Sequence, residues 1–394
     1  MSVLVIGDIG VVDGMMHVGD EAMFEAAVGE LRARGVPAVG VSSAPEESAA
    51  RYGIGTVARL GFAGLGRDDA AARSALLTAA ASGETTLAAG DPAGPVLAAL
   101  RESDGVLVAG GGNLASRWRV HVHERATLAA MARGLGLPVV VSGQTLGPDL
   151  AAPDAGAVAG LLGGAVRAAV REPTSARLAA AWGLDVRCGV DDASFLGAVE
   201  PPAGPAGIVV SLSGWLGGCP PAATEASLAR LVERAAGIVG GPLRFHAHFG
   251  PLDPAAGPRG DAALHERVRE LLTVPSEVVP TVDPRHSALL ARGAGLLLTS
   301  RYHPAVFAAP AGVPTLGLVT DDYTGIKLRG ALGHWGEPVT APLGELDECA
   351  PDLVKRLDAA RSRVADEAAG RLARHRRDFS AWWDEVAAVF RRPW

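Results

Sequence analysis

The chain has 394 residues, 20% charged and 48% hydrophobic, with 51 glycines and a formal net charge of -7. The length suggests two domains, and the composition is neither disordered nor fibrous. The acidic balance argues against general nucleic-acid binding, which needs a cationic face to neutralise phosphates.

Three scattered cysteines, Cys188, Cys219 and Cys349, form no CxxC pair. An odd, dispersed set of this kind points to a reducing compartment. The opening run MSVLVIGDIG breaks at Asp8, too early for a signal-peptide core. No stretch approaches the ~18 apolar residues of a membrane span. A cytoplasmic protein is expected, with peripheral membrane contact at most.

In chain order, strand-like runs at 3–7, 38–43, 105–111, 138–143, 166–172 and 186–193 are interleaved with helix-like segments at 19–35, 118–136 and 173–183. The Val-rich, unalternating strands suit a parallel sheet covered on both faces. EPPAGPAG at 200–207 has three prolines and no period, so it reads as a linker. The rhythm then restarts, with strands at 207–213, 243–250, 277–282, 295–300 and 315–320. Helices fall near 222–239, 261–273 and 284–293, and a charged helical tail runs from about 345 to 392. The expected architecture is α/β, with two Rossmann-like domains facing a cleft.

Ligands of such sheets bind beyond the carboxyl ends of strands. Five strand ends carry polar groups: Gly111, Gly112 and Asn113; Gln144 and Thr145; Arg171 and Glu172; Asp191 and Asp192; Ser300, Arg301 and His303. Pro304 reads as the first helical residue and Gly312 as the exit, which leaves Arg301 and His303 in the turn before the helix. A helix start attracts anions, an arginine clamps carboxylate or phosphate, and a histidine moves a proton near neutral pH. A structural ion pair accounts for Arg301 alone equally well.

Several chemistries find no motif. GxGxxG, GxxxxGK[ST] and GxSxG are absent. His121 and His123 fall in a helical segment, where i and i+2 do not share a face. His246 and His248 share a strand face without a third ligand nearby. No metal and no bound cofactor are expected.

In order along nearly the whole chain, the motifs resemble the polysaccharide pyruvyl transferase family. They are GDEA at 19–22, GGGNL at 110–114, GQTLGP at 143–148, REPTS at 171–175, DDA at 191–193 and SRYHPAVFAAPAGVP at 300–314, followed by Tyr323 and Lys327. The resemblance implies a GT-B-like protein with an N-terminal domain at 1–199 and a C-terminal domain at 207–375. A last helix at 376–394 then packs back on the N-terminal domain.

It also implies an enzyme of polysaccharide biosynthesis that moves a pyruvyl group from phosphoenolpyruvate to two sugar hydroxyls, as a cyclic ketal, with release of phosphate. Carried over residue by residue, the catalytic set is Arg171, His303 and Lys327. Substrate contacts fall on Arg301, Gly111, Gly112, Asn113, Gln144, Ser300, Tyr323, His17, Asp20, Glu21, Asp191 and Asp192. The acceptor is a glycan, a lipid-linked sugar or a nucleotide-sugar.

Two adjacent positions depart from the family, which often has Asn-Ser before GDEA where this chain has His17 and Val18. The alternatives are a nucleotide-sugar-dependent glycosyltransferase on the same fold, or a family member with altered or lost catalysis.

Overall fold

The computed structural model describes residues 2–197 and 206–391. The expected linker at 200–207 lies, for residues 200–205, outside them. The chain divides into two compact units. The first comprises the residues up to Val12, Met23–Asp192 and those from Arg377 on; the second comprises Asp13–Ala22 and Ala193–Arg376. The change-over therefore follows Asp192 rather than 199, and a ten-residue stretch before Met23 groups with the second unit.

The first unit holds β1 (Val3–Ile6), β3 (Ala38–Ser42), β4 (Gly55–Ala58), β5 (Val106–Val108), β6 (Gly111–Leu114), β7 (Val139–Leu146), β8 (Arg167–Val170) and β9 (Arg187–Cys188). They form one parallel sheet in the order β4-β3-β1-β5-β7-β8-β9, with β6 paired to β7. The order reverses beside β1, which is the switch point of a doubly wound sheet. β1 and β7 are buried along their full length, as continuous apolar strands covered on both faces must be. One cover is the end of the last helix, where Trp382, Trp383, Val386 and Phe390 join Val3, Val5 and Phe24 in a single core.

The second unit holds β2 (Met15–His17), β10 (Ile208–Ser211), β11 (Leu243–His246), β12 (Phe249–Pro251), β13 (Glu277–Val279), β14 (Leu296–Thr299), β15 (Thr315–Val319) and β16 (Thr340–Pro342). Six of these make a parallel sheet, β13-β11-β10-β14-β15-β16, again reversing beside its first strand. β2 and β12 form a separate antiparallel pair, with His17 opposite Phe249. The single strand expected at 243–250 is thus two, broken at Ala247-His248. Pro173, Pro221 and Pro284 each open a helix, where the missing N–H costs nothing.

Helices at Pro45–Tyr52, Arg67–Ser82, Gly94–Arg101 and Ala152–Gly163 were not read from the sequence. Two of them are only eight residues long, and the two longer ones are rich in alanine, which leaves a weak apolar pattern. The helix Tyr302–Ala308 begins two residues earlier than expected, so His303 lies inside its first turn rather than before it. Gly312 does end the following turn, in a left-handed conformation. No helix among the described residues is long and apolar enough to cross a membrane.

Candidate functional site

In the first unit, GQTLGP and REPTS are one hydrogen-bonded assembly. Arg171 Nε donates to Thr145 Oγ1 at 2.9 Å, and Thr145 Oγ1 donates to Glu172 Oε2 at 3.0 Å. Glu172 precedes the helix Pro173–Ala181 and also accepts from Ser175 Oγ. Arg171 Nη1 reaches Asp191 Oδ2 at 2.6 Å, and both side chains are almost completely buried. Arg171, expected in the catalytic set, is thus held in a buried ion pair with Asp191. Its guanidinium, taken out of water, requires a carboxylate and further acceptors around it.

Asp192 lies beside this pair. Its Oδ1 accepts from Ser142 Oγ at 3.0 Å, and Trp382 Nε1 donates to that hydroxyl at 3.0 Å. Its Oδ2 packs over Gly110 and Gly143, where any Cβ would crowd it. Burial first, and Asp191 second, push the Asp192 carboxyl up to about 7. Gly111, Gly112 and Asn113 lie on β6, not in a loop after β5. Gln144 Nε2 donates to Ala109 O at 2.6 Å and Ser142 O at 2.9 Å. The amide oxygens of Asn113 and Gln144 are buried without a donor and face Gly111.

The second unit carries the other set. Arg301, which precedes the helix holding His303, directs Nε to Asp261 Oδ2 at 2.7 Å and Nη2 to Oδ1. Asp261 is fully buried and also accepts from the backbone of Phe249 and Gly214. The bidentate clamp expected to meet a ligand through Arg301 is engaged by Asp261, which orients the turn. Ser300 Oγ accepts from Ser213 N at 2.8 Å, a backbone tie between two strand ends.

His303 is half-buried, and its ring lies 4.9 Å from that of Tyr302. Lys327 Nζ sits 3.9 Å from the Tyr323 ring centre and 5.6 Å from that of Tyr302. Tyr323 and Lys327 are four apart in the helix Asp322–Gly333, so they share a face. Asp321 caps that helix by accepting from Thr324 N at 2.8 Å. His303, Tyr302, Tyr323 and Lys327 thus form one run of rings and a cation, and only Tyr302 of the four is fully buried.

Asp20 and Glu21 stand in the first turn of the helix Val18–Ala33, where Asp20 is half-buried and Glu21 buried. At the departing positions, His17 is exposed and stacks on Phe249 at 3.9 Å, while Val18 is buried and its N–H donates to His248 O. Val18 contributes packing and backbone where the family's serine would contribute a hydroxyl.

His246 and His248 do not read as a metal pair. His246 is bonded to Val279 O and Ser287 Oγ, and both rings are buried. Burial holds His246 to about 4 and His248 well below the ordinary histidine value.

Two groups escaped the sequence reading. Asp261 opens a helix after Gly260, a signal that reads only as a helix start. Asp8 lies two residues beyond the end of β1 and joins Arg59, His121 and Glu124 in a polar network. Its position at a strand end was the available signal.

Solved structures show the same fold. A UDP-GlcNAc 2-epimerase from Neisseria meningitidis bound to UDP-GlcNAc aligns with a TM-score of 0.57 at 12% identity, over 93% of this chain and 94% of that one. The MnaA–UDP structure from S. aureus aligns with 0.59 at 11%, over 93% and 92%. CalG4, the calicheamicin glycosyltransferase, aligns with 0.52 at 16%, over 99% and 98%. At such identities the likeness establishes a GT-B-type fold of two Rossmann-like domains and nothing about substrate. No curated protein matches the sequence. The family of polysaccharide pyruvyl transferases matches residues 17–322, most of the chain, and the protein belongs to that family of transferases.

Proposed function

We propose that the protein transfers a pyruvyl group from phosphoenolpyruvate to two hydroxyls of a glycan, as a cyclic ketal, and releases phosphate. The observation that carries this reading is the run of half-buried His303, Tyr323 and Lys327 around buried Tyr302, on motifs of the matched family. A proton donor and a cation stand together there, as an anionic enol phosphate requires.

His303 protonates the methylene carbon of the donor, and positive charge develops at the adjacent carbon. One acceptor hydroxyl adds to that carbon and gives its proton to a base. The bond from carbon to the phosphate oxygen breaks, phosphate leaves with the electron pair, and the second hydroxyl closes the ring as its proton is taken up by phosphate. Lys327, held by two tyrosine faces, meets the donor's negative charge. Four carboxylates stand on the family motifs as candidate bases: Asp191 is bound to Arg171, while Asp192 and Glu21 are buried. Asp20, half-buried, is the one left with access to solvent.

Arg171 acts through its network with Thr145, Glu172 and Asp191 and holds the DDA segment in place. Arg301 does the same for the turn that carries His303.

The test is incubation of the full chain with phosphoenolpyruvate and glycans that bear free 1,2- or 1,3-diols. Free phosphate should appear together with an acceptor heavier by one pyruvate less one water. Release of a nucleoside diphosphate from a nucleotide-sugar, with no phosphate from phosphoenolpyruvate, would instead support glycosyl transfer.

A further inference from the structure

The loop after β10 carries Trp215, which is 61% exposed. It is the most exposed large apolar side chain among the described residues. A single apolar side chain on a surface is ordinary. This one differs in how it is held and in where it stands.

Three successive N–H groups of the loop are engaged. Ser213 N donates to Ser300 Oγ at 2.8 Å, Gly214 N to Asp261 Oδ1 at 3.1 Å, and Trp215 N to Ser213 Oγ at 3.2 Å. Leu216 turns inward and packs on the core of the second unit. Gly217, at a φ of 63°, lies so close to Thr320 O that a Cβ would collide with it. The backbone on both sides of Trp215 is thus fixed, with the indole turned to solvent.

The same ties join the loop to the candidate site. Ser300 and Asp261 also flank and hold Arg301, in the turn that leads to His303. Thr320 precedes Asp321, the cap of the helix that carries Tyr323 and Lys327. β10, β14 and β15 are neighbours in one sheet, and Trp215, His303 and Lys327 follow them in turn, all in the second unit. Ligands of such sheets bind beyond these strand ends.

The chemistry of the loop selects the ligand. From Gly207 to Thr224 there is no charged residue, so the loop itself offers an anion no counter-charge. Gly214, Gly217 and Gly218 flank the indole and have no side chains to cover its faces. Those faces are flat, apolar and negative in potential. A pyranose is their complement: one side is lined by C–H bonds that rest on the negative face, while the hydroxyls stay in water at the rim.

We propose that Trp215 is a stacking platform for the pyranose ring of a neutral sugar. Under the function proposed above, on which this role rests, that sugar belongs to the acceptor glycan. The pinned loop has little freedom left to lose on binding.

The experiment labels the full chain with 5-fluorotryptophan and titrates it with methyl glucoside, methyl galactoside and methyl mannoside, followed by fluorine NMR. Trp215→Phe identifies the Trp215 resonance. At least one glycoside should move that resonance saturably, while glycerol, a polyol without a ring, should not. In unlabelled protein, saturation-transfer NMR of the same glycoside should weaken by about fivefold or more in affinity on Trp215→Ala. Trp215→Tyr keeps an aromatic face and should weaken it less. The assignment is overturned if no glycoside moves the resonance, if glycerol moves it equally, or if binding is unchanged in Trp215→Ala. It is also overturned if uridine or phosphatidylglycerol vesicles move the resonance and the glycosides do not. Phosphate release from phosphoenolpyruvate is measured on the same preparation. Glycoside stacking without that release sinks the pyruvyl reading and leaves the platform; release without stacking does the reverse.

Discussion

Gly19 and His303 pack so closely that a Cβ on the glycine would overlap Nδ1, Cε1 and Cγ of the imidazole. Both lie in the second unit, so the GDEA and SRYH motifs meet there. The glycine opens the first turn of a helix with no special backbone angle, which leaves room for the ring as its reason for being glycine.

Gly19→Ala should therefore push His303 out of place while the helix persists, since alanine is the better helix former. Turnover should fall towards the level of His303→Ala. His303 should also become more reactive to diethylpyrocarbonate, mapped by mass spectrometry. Unchanged labelling and turnover would show that the ring has space to spare.

Removing the acid itself should affect turnover more than donor binding, because the proton is transferred only in the transition state. His303→Ala should lower kcat by about 10²-fold or more. Phosphoenolpyruvate affinity by calorimetry should change little. Near-normal turnover in a folded variant would make His303 a structural residue.

Lys327 should show the opposite emphasis. Lys327→Met removes the charge, and donor binding should weaken by ~1.5–3 kcal/mol, the range for a hydrogen bond to a charged group. Tyr323→Phe keeps a ring face beneath the ammonium and should cost far less. Equal losses from the two variants would point to the tyrosine hydroxyl instead of the cation.

The Arg171–Asp191 pair predicts a stability effect. Asp191→Ala leaves a buried guanidinium without its counter-charge, which costs about 3–5 kcal/mol. Replacing both by similar-sized apolar residues should restore much of that loss. Chemical denaturation of the single and double variants decides it, and a double variant less stable than the single one contradicts the account.

Acid should destabilise the second unit through its buried histidines. Burial holds His246 and His265 to about 4, against an ordinary 6.5. Between those values the unfolded chain binds protons that the folded unit refuses, so this stability is complete above 6.5 and is lost as pH falls through 4. Asp192 runs the other way. Raised to about 7 from 3.8, it contributes stability that is complete below 3.8 and is lost as pH rises through 7. In an Asp192→Asn variant, which removes the opposing contribution, urea midpoints should decline steadily between pH 6.5 and 4, and a flat profile there rules out the histidine contribution.

Sequence alone determined the two α/β halves, the strands β1, β3, β8, β10, β14 and β15 to within two residues, and the family. Continuous Val- and Leu-rich runs have only one stable burial, and the motifs GDEA, GGGNL, REPTS and SRYH are local. The strand at Met15–His17 could not be placed by pattern, because it is three residues long and pairs with β12 from more than two hundred residues away. Only the tertiary structure decided which charges are free. Arg171 and Arg301 look alike as cations at strand ends, yet each is held by an aspartate, Asp191 or Asp261, that lies 20 or 40 residues away in the chain. Asp8 looked like the end of an apolar run until Arg59 and His121 were seen around it. Charge pairing depends on distances of a few ångströms between segments remote in sequence, and no local pattern encodes those distances.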